Sequence, residues 1–527
     1  MQIIIPMSGF GERFRKAGYD IPKPLILMEG KPIIAHVIDM FPGETDFIFI
    51  CNQDHLGEDK FRMRAILNEI CPTGRVVGIS PHKLGPVHAV QQVYEFINDD
   101  SPCIVNYCDF TCYWDFEQFK KMVVETGCDG AIPAYRGFHP HSLGSTNYAY
   151  MREQDNRALD IKEKEPFTDN RMNEYASSGT YYFKTGLVLK SCFDACVAQD
   201  LSLNGEYYVS LAYKPLLASD ANIQIFELPH FMQWGTPEDV DEYNGWSEVF
   251  RNISEHKVPV SFEGHAVIIP MAGLGQRFAD EGYTLTKPLI PVKNQSMVLS
   301  AVDDLPSAEY HVFVLRADMP DVESIKSTIR GKYPSAIFEV LPEVSEGQAI
   351  TCLAGLDALD REHPNFDGVV TFAACDNGAI YDGPLFLDWI HNEASDVLVW
   401  GARGHANAIR HPEMFGWIEE AGGEISAVSV KNPLGNPRKD PIITGTVSFR
   451  SGAVFRRALE SLVKRDGRVN GEFYLDSCVT DAINLGMKCS LFENKHFISW
   501  GTPSDLKTFE YWASCFSRWN GHPFNGF

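Results

Sequence analysis

The chain has 527 residues, 44% hydrophobic and 22% charged, which is the balance of globular material and more than one hydrophobic core usually covers. Its formal charge of −24 argues against a nucleic-acid or anionic-membrane surface but leaves room for a local cationic site. No apolar run approaches the roughly 18 residues of a membrane span, so none is expected.

Residues 2–5 read as a buried strand entering the loop Ser8-Gly9-Phe10-Gly11-Glu12-Arg13-Phe14, with Lys23-Pro24-Leu25-Ile26 behind it. Helical spacing covers 32–39, a continuous apolar run at 47–51 suits a buried parallel strand, and 59–70 reads as a helix. A strand at 76–79, a helix at 87–98 behind Gly85-Pro86 and a strand at 103–106 follow, the last ending at Tyr107-Cys108-Asp109. This βαβ rhythm predicts an α/β fold with a doubly wound, mostly parallel sheet and ligands at the carboxyl ends of its strands. Beyond Asp109 the pattern is mixed. Strands are expected at 130–135, 148–151, 158–164 and 179–183, and a helix over 207–217 after Asn204-Gly205-Glu206. A strand at 223–228 and a helix over 237–250, with Pro237 in its first turn, close this half.

The opening text then returns as Pro270-Met271-Ala272-Gly273-Leu274-Gly275-Gln276-Arg277-Phe278, with Lys287-Pro288-Leu289-Ile290 behind it, displaced by 264 positions. Gly347 answers Gly85, Asp376 answers Asp109, and Lys431 answers Lys164. Gly445 answers Gly179, Glu472 answers Glu206, and Trp500-Gly501-Thr502-Pro503 answers Trp234-Gly235-Thr236-Pro237. A whole domain is written twice, predicting domains at 1–253 and 265–527 joined by a linker at 254–264. The aromatic, glycine-rich tail 511–527 has no counterpart.

Two glycines at a strand end let backbone N–H groups turn toward a phosphate. The loop is neither a dinucleotide fingerprint, since Phe14 stands where a third glycine belongs, nor a P-loop, which needs Gly-Lys-Ser/Thr. The thirteen cysteines include no Cys-x-x-Cys pair, and Cys108/Cys112 and Cys192/Cys196 lack the second cluster of a zinc site. Reduced, buried thiols and a cytoplasmic location are expected. The N-terminus runs straight into a strand, without the charged and apolar regions of a signal peptide.

With Gly-x-Gly-x-Arg-Phe and Lys-Pro-Leu-Ile in both halves, the chain resembles the sugar-phosphate nucleotidyltransferase family almost end to end. The resemblance implies two tandem Rossmann-like, GT-A-type domains that join an NTP to a sugar 1-phosphate, releasing pyrophosphate. It implies triphosphate binding by Gly9, Gly11 and Arg13 and by Gly273, Gly275 and Arg277, with Gly85 and Gly347 on the nucleotide side. Lys23 and Lys287 would stabilise charge at the α-phosphate, and Asp109 and Asp376 would hold Mg²⁺. Glu163-Lys164 would meet the acceptor, together with Gly179 and Glu206 in the first half and Lys431, Gly445 and Glu472 in the second. Lysine suits a point contact with phosphate, arginine a bidentate one, and Mg²⁺ takes carboxylate, water and phosphate oxygens.

Two departures stand out. Where many relatives carry a second metal-binding aspartate, this chain has Gln233 and Ser499, leaving open whether Asp239 and Asp505 substitute. Val430 replaces Glu163 in the second half, so the two halves are expected to differ in acceptor. The partners implied are an NTP and a phosphorylated small molecule, with no nucleic acid and no membrane; an oligomer is compatible with the sequence. The leading expectation is an enzyme that feeds surface-polysaccharide synthesis. Alternatives are a cytidylyltransferase acting on a non-sugar phosphate or phosphonate, one active domain beside a nucleotide-binding regulatory one, and a glycosyltransferase of related fold, which the absence of Asp-x-Asp disfavours.

Overall fold

Strand Gln2–Met7 lies mid-sheet because Ile3, Ile4 and Ile5 offer neither face a polar side chain, and all three are fully buried. It belongs to the first of two units, formed by Met1–Arg251 with Tyr511–Phe527; the second is Asn252–Glu510. The computed structural model describes residues 1–255, 259–392 and 395–526, so part of the expected linker, residues 256–258, lies outside the described residues.

In the first unit a ten-stranded sheet runs, from one edge, Arg75–Ile79, Asp46–Asn52, Gln2–Met7, Cys103–Asn106, Thr180–Phe183, Gly130–Tyr135 and Ile223–Glu227. Arg157–Glu163, Ala149–Gln154 and Tyr175–Ser177 complete it. The first four strands are parallel, and Thr180–Phe183 inserts antiparallel beside them. From Gln2–Met7 the chain winds to one side and then crosses back to Cys103–Asn106. The carboxyl ends of those two strands therefore flank a topological switch point, where open α/β sheets bind ligands.

The second unit repeats this plan in nine strands: Ile337–Leu341, Tyr310–Arg316, His265–Pro270, Val369–Ala373, Ile442–Phe449, Val397–Ala402, Cys489–Glu493, Glu424–Val430 and Gly416–Ala421. The single strand Ile442–Phe449 does what Tyr175–Ser177 and Thr180–Phe183 do in the first unit. Each unit is thus doubly wound, parallel around its opening strand and mixed beyond.

Three differences from expectation bear on the site. Only Leu211–Tyr213 and Lys214–Ala218 are helical within 207–217, because the Tyr207 N–H donates to the Leu84 carbonyl and its carbonyl accepts from Val87. A backbone so engaged cannot join a helix. Next, Phe110–Tyr113 pairs antiparallel with His230–Gln233, a ribbon the sequence does not announce, and this carries Trp234-Gly235 to Asp109. Last, Tyr511–Phe527, expected in the second domain, packs in the first unit. The Tyr511 hydroxyl donates to the Phe231 carbonyl at 2.5 Å, and His522 Nε2 lies 3.2 Å from Ser247 Oγ. Trp519 meets His36 and Phe524 meets Phe250, with ring centres 5.5 and 4.7 Å apart. The aromatic character of the tail is the reason: such rings bury 150–250 Å² each in favourable contact.

All thirteen cysteines are free, and all but Cys108 are buried. No helix among the described residues is long and apolar enough to cross a membrane.

Candidate active site

At the first switch point the loop after Gln2–Met7 and the segment Tyr107-Cys108-Asp109 form opposite walls of a cavity of about 530 Å³. Gly9, Gly11, Arg13, Lys23, Gly85, Asp109 and Glu206 all line it. Gly11 holds φ 62°, a left-handed conformation that glycine adopts without cost, and Gly275 repeats it at 65°. The equivalent cavity of the second unit, about 350 Å³, is lined by Gly273, Gly275, Lys287 and Asp376. Arg13 and Arg277 are exposed at their loop ends.

Across each cavity floor runs the same clasp. Lys23 Nζ donates to Asp109 Oδ2 at 2.5 Å and to the Gly235 carbonyl at 3.3 Å. Lys287 Nζ donates to Asp376 Oδ2 at 2.5 Å and to the Gly501 carbonyl at 3.3 Å. Backbone bonds hold it in place: the Trp234 N–H donates to the Asp109 carbonyl at 2.7 Å, and Trp500 to Asp376 at 2.8 Å. Both tryptophans are fully buried, so they pack rather than stack on a base. Burial is the largest single influence on Lys287 and disfavours its charge, but Asp376 and Cys375 beside it prevail and hold the ammonium above its ordinary range. The clasp thus presents one lysine and one carboxylate side by side to whatever enters.

Asp239 and Asp505, the alternatives to the missing second aspartate, each accept several hydrogen bonds. Asp239 Oδ1 accepts from Gln233 Nε2 at 2.5 Å, and Oδ2 accepts from the Thr236 N–H at 2.8 Å while the Asp239 N–H returns to Thr236 Oγ1. Asp505 accepts from Asn407 Nδ2, Ser499 Oγ and Thr502 Oγ1. Both are spent on capping helices, and burial pushes both carboxyls up. Asp109 and Asp376 both line their cavities, the first together with Glu12 and Glu206, and each has given only Oδ2 to its lysine. No cluster of three or more His, Cys, Asp or Glu ligands occurs among the described residues. A lone carboxylate oxygen beside a phosphate-sized space suits Mg²⁺, which keeps water and substrate oxygens in its shell.

Lys164 and Lys431 each sit at left-handed φ, 57° and 59°, at the end of a strand. Lys164 Nζ donates to the Tyr208 hydroxyl at 2.7 Å, and that hydroxyl donates to Glu206 Oε2 at 2.9 Å. Lys431 lies over the Tyr474 ring, 5.2 Å from its centre. Tyr208 lines the first cavity, so this chain joins the expected acceptor residues to it. Neither tyrosine is singled out by the sequence reading, although both occupy the same place in the repeated Asn-Gly-Glu-x-Tyr text. Burial is the main force raising the Tyr208 hydroxyl, with Arg13, which lines the same cavity, opposing it.

Glu163 accepts from Ser210 Oγ at 2.5 Å, and burial pushes its carboxyl up to about 6 against that bond and the pull of Lys164. Burial likewise pushes Asp476 up to about 6. A carboxyl raised from 4.5 is bound to its proton more tightly in the folded chain than in the unfolded one. Its stabilising contribution is therefore complete below about pH 4.5 and is lost as pH rises through about 6. Urea midpoints of the full chain should fall across that window, and Glu163→Gln with Asp476→Asn should flatten the decline; an unchanged slope would contradict the burial argument.

Gly85 lines the first cavity and, like Gly347, Gly179 and Gly445, is also fixed by close packing. A Cβ on Gly85 would stand 2.7 Å from both the N and O of Tyr207, and one on Gly347 would meet Phe473 in the same way. Gly179 packs against Tyr107 and its carbonyl accepts the Tyr107 N–H; Gly445 does this for Ala374. Gly85→Ala should cost about 2–3 kcal/mol through positive φ and collision with backbone, read as a lower urea midpoint. A wild-type midpoint would mean that the Tyr207 turn is free to move away.

Residues 2–202 match the nucleotidyl transferase family model. The chain is 25% identical over 248 residues to a mannose-1-phosphate guanyltransferase of Gibberella zeae, an alignment covering 45% of this chain and 62% of that one. To mannose-1-phosphate guanyltransferase beta-B of Xenopus laevis it is 24% identical over 290 residues, covering 52% and 73%. Among solved structures, a nucleoside-diphosphate-sugar pyrophosphorylase from Vibrio cholerae aligns with 20% identity and a TM-score of 0.38, over 46% of this chain and 98% of that one.

Proposed function

We propose that this protein, whose residues 2–202 are a nucleotidyl transferase domain, transfers a nucleoside monophosphate from an NTP to a sugar 1-phosphate at each of two sites. The observation that carries the reading is the lysine–aspartate clasp, built twice at the switch point in a cavity shared with a glycine loop, and in the first domain with Arg13. Such a site offers no ready thiolate for covalent chemistry, since burial pushes the lining thiols of Cys108 and Cys375 up to about 12. It can align a phosphate oxygen of the acceptor with the α-phosphorus and neutralise charge as pyrophosphate leaves in line.

In this account Gly9, Gly11 and Arg13 seat the triphosphate, and Lys23 turns from Asp109 to the α-phosphate. Lys164 fixes the acceptor's phosphate through a strand end whose left-handed backbone aims the side chain along Tyr208. Mg²⁺, held by Asp109 or Asp376, would supply charge neutralisation on the phosphate oxygens. The mannose-1-phosphate relatives support a sugar 1-phosphate as acceptor. The free thiols fit a reducing compartment such as the cytoplasm.

A regulatory second domain is disfavoured by the intact clasp at Lys287, Asp376 and Gly501. The test offers the full chain each of the four NTPs with a panel of sugar 1-phosphates and Mg²⁺ and follows pyrophosphate. Release that requires one NTP and one acceptor supports the reading. Absence of release across the whole panel, or release independent of any acceptor, contradicts it.

A further inference from the structure

The second domain lacks Glu163, yet a carboxylate stands in the corresponding place, supplied by another element. In the first domain Glu163 faces Ala149 across an antiparallel strand pair, immediately before Lys164, whose N–H donates to the Tyr148 carbonyl. Ser210, two residues beyond Tyr208, donates to Glu163. In the second domain Val430 faces Gly416 in the same register, immediately before Lys431, whose N–H donates to the Phe415 carbonyl. Two residues beyond Tyr474 stands Asp476, in the first turn of helix Leu475–Asn484.

All three positions change together. Valine removes the carboxylate from the strand, aspartate replaces the serine that bonded to it, and glycine replaces the alanine beside them. The glycine explains the set: a Cβ on Gly416 would collide with Asp476 Oδ2. Gly416 does not have positive φ, so space and not backbone conformation calls for glycine there. Burial pushes the Asp476 carboxyl up to about 6, as it does Glu163, with Lys431 opposing the shift as Lys164 does for Glu163.

We propose that Asp476, seated in the space left by Gly416 and Val430, is the specificity-determining acceptor residue of the second domain, taking the part Glu163 takes in the first. The inference rests on the acceptor side of the proposed function. Its chemical content is that a hydroxyl-bearing phosphate ester, its phosphate on Lys431, is met by a carboxylate one methylene shorter and approaching from the helix instead of the strand. The two domains therefore select acceptors that differ in the position of the hydroxyl presented to this wall.

The experiment uses the full chain with Lys23→Ala, so that pyrophosphate reports the second domain, and glucose, mannose, galactose, fucose and N-acetylglucosamine 1-phosphates as probes. Asp476→Asn should raise KM for the preferred acceptor about tenfold or more, the loss of one hydrogen bond to a charged group, with KM for NTP unchanged. Gly416→Ala/Val430→Glu/Asp476→Ser should turn over again with the acceptor ranking of the first domain, as measured in the Lys287→Ala protein. A structural readout needs no turnover: Gly416→Ala should lower the melting temperature, and adding Asp476→Ser should restore it. An acceptor KM unmoved by Asp476→Asn, or a ranking unmoved by the triple change, overturns this inference and leaves the proposed function standing. No turnover with any probe, together with no binding of any probe by calorimetry, overturns both.

Discussion

Lys23→Ala is expected to reduce nucleotidyl transfer by the first domain about 10²–10³-fold, the loss seen when one preorganised donor to a developing anion is removed. The fold should survive, because the Lys23 ammonium spends its hydrogen bonds on Asp109 and the Gly235 carbonyl, lies over the Phe14 ring, and leaves a fifth of the side-chain surface exposed. Truncation leaves Asp109 without its cation, but that carboxylate is 28% exposed and water can solvate it. Lys287→Ala should do the same to the second domain. The residual rate of each single variant then gives the other domain's share, and the double variant should lose nearly everything. Pyrophosphate release beside a urea-unfolding curve separates a lost donor from a lost fold. Loss of folding in step with activity would make the lysine structural.

Asp109→Asn should produce a split that a merely structural residue would not. Turnover by the first domain should fall by about 10³-fold or more, because the carboxylate of the clasp, the one proposed to hold the cation, is gone. Binding of NTP without Mg²⁺ should tighten, since the variant removes a negative charge from an anion site and frees Lys23 from its 2.5 Å partner. Calorimetric titration with and without Mg²⁺ reads both halves. Weaker metal-free binding would mean that Asp109 orders the loop rather than anchoring a cation.

What was legible in the sequence is the part that is local and repeated. The glycine loops, Asp109 and Asp376 each lie within a few residues of a buried strand end, Lys23 and Lys287 stand in the same Lys-Pro-Leu-Ile text of both halves, and the second copy filters coincidence from pattern. The ribbon of Phe110–Tyr113 with His230–Gln233 escaped because four-residue strands carry little alternation and their partners lie far apart in the chain. The helix expected over 207–217 is helical only from Leu211, and Tyr207 is claimed by backbone at Leu84 and Val87, a tertiary demand that propensity does not record. Asp476 was hidden for a similar reason. Alignment of the halves shows Glu163 lost at Val430, and only strand register shows the carboxylate returning from a helix 46 positions later in the chain. The tail read as odd, and the rings that made it odd are what pack it into the first unit.

The central claim is that bound NTP is opened at its α-phosphorus by a phosphorylated acceptor. Phosphorus NMR of the full chain with NTP, sugar 1-phosphate and Mg²⁺ tests it most directly. Equal growth of pyrophosphate and of a nucleotide–sugar diphosphate diester, reversed by added pyrophosphate, is the predicted result. NTP left intact with every acceptor, or split to nucleoside diphosphate and inorganic phosphate without the diester, would contradict it.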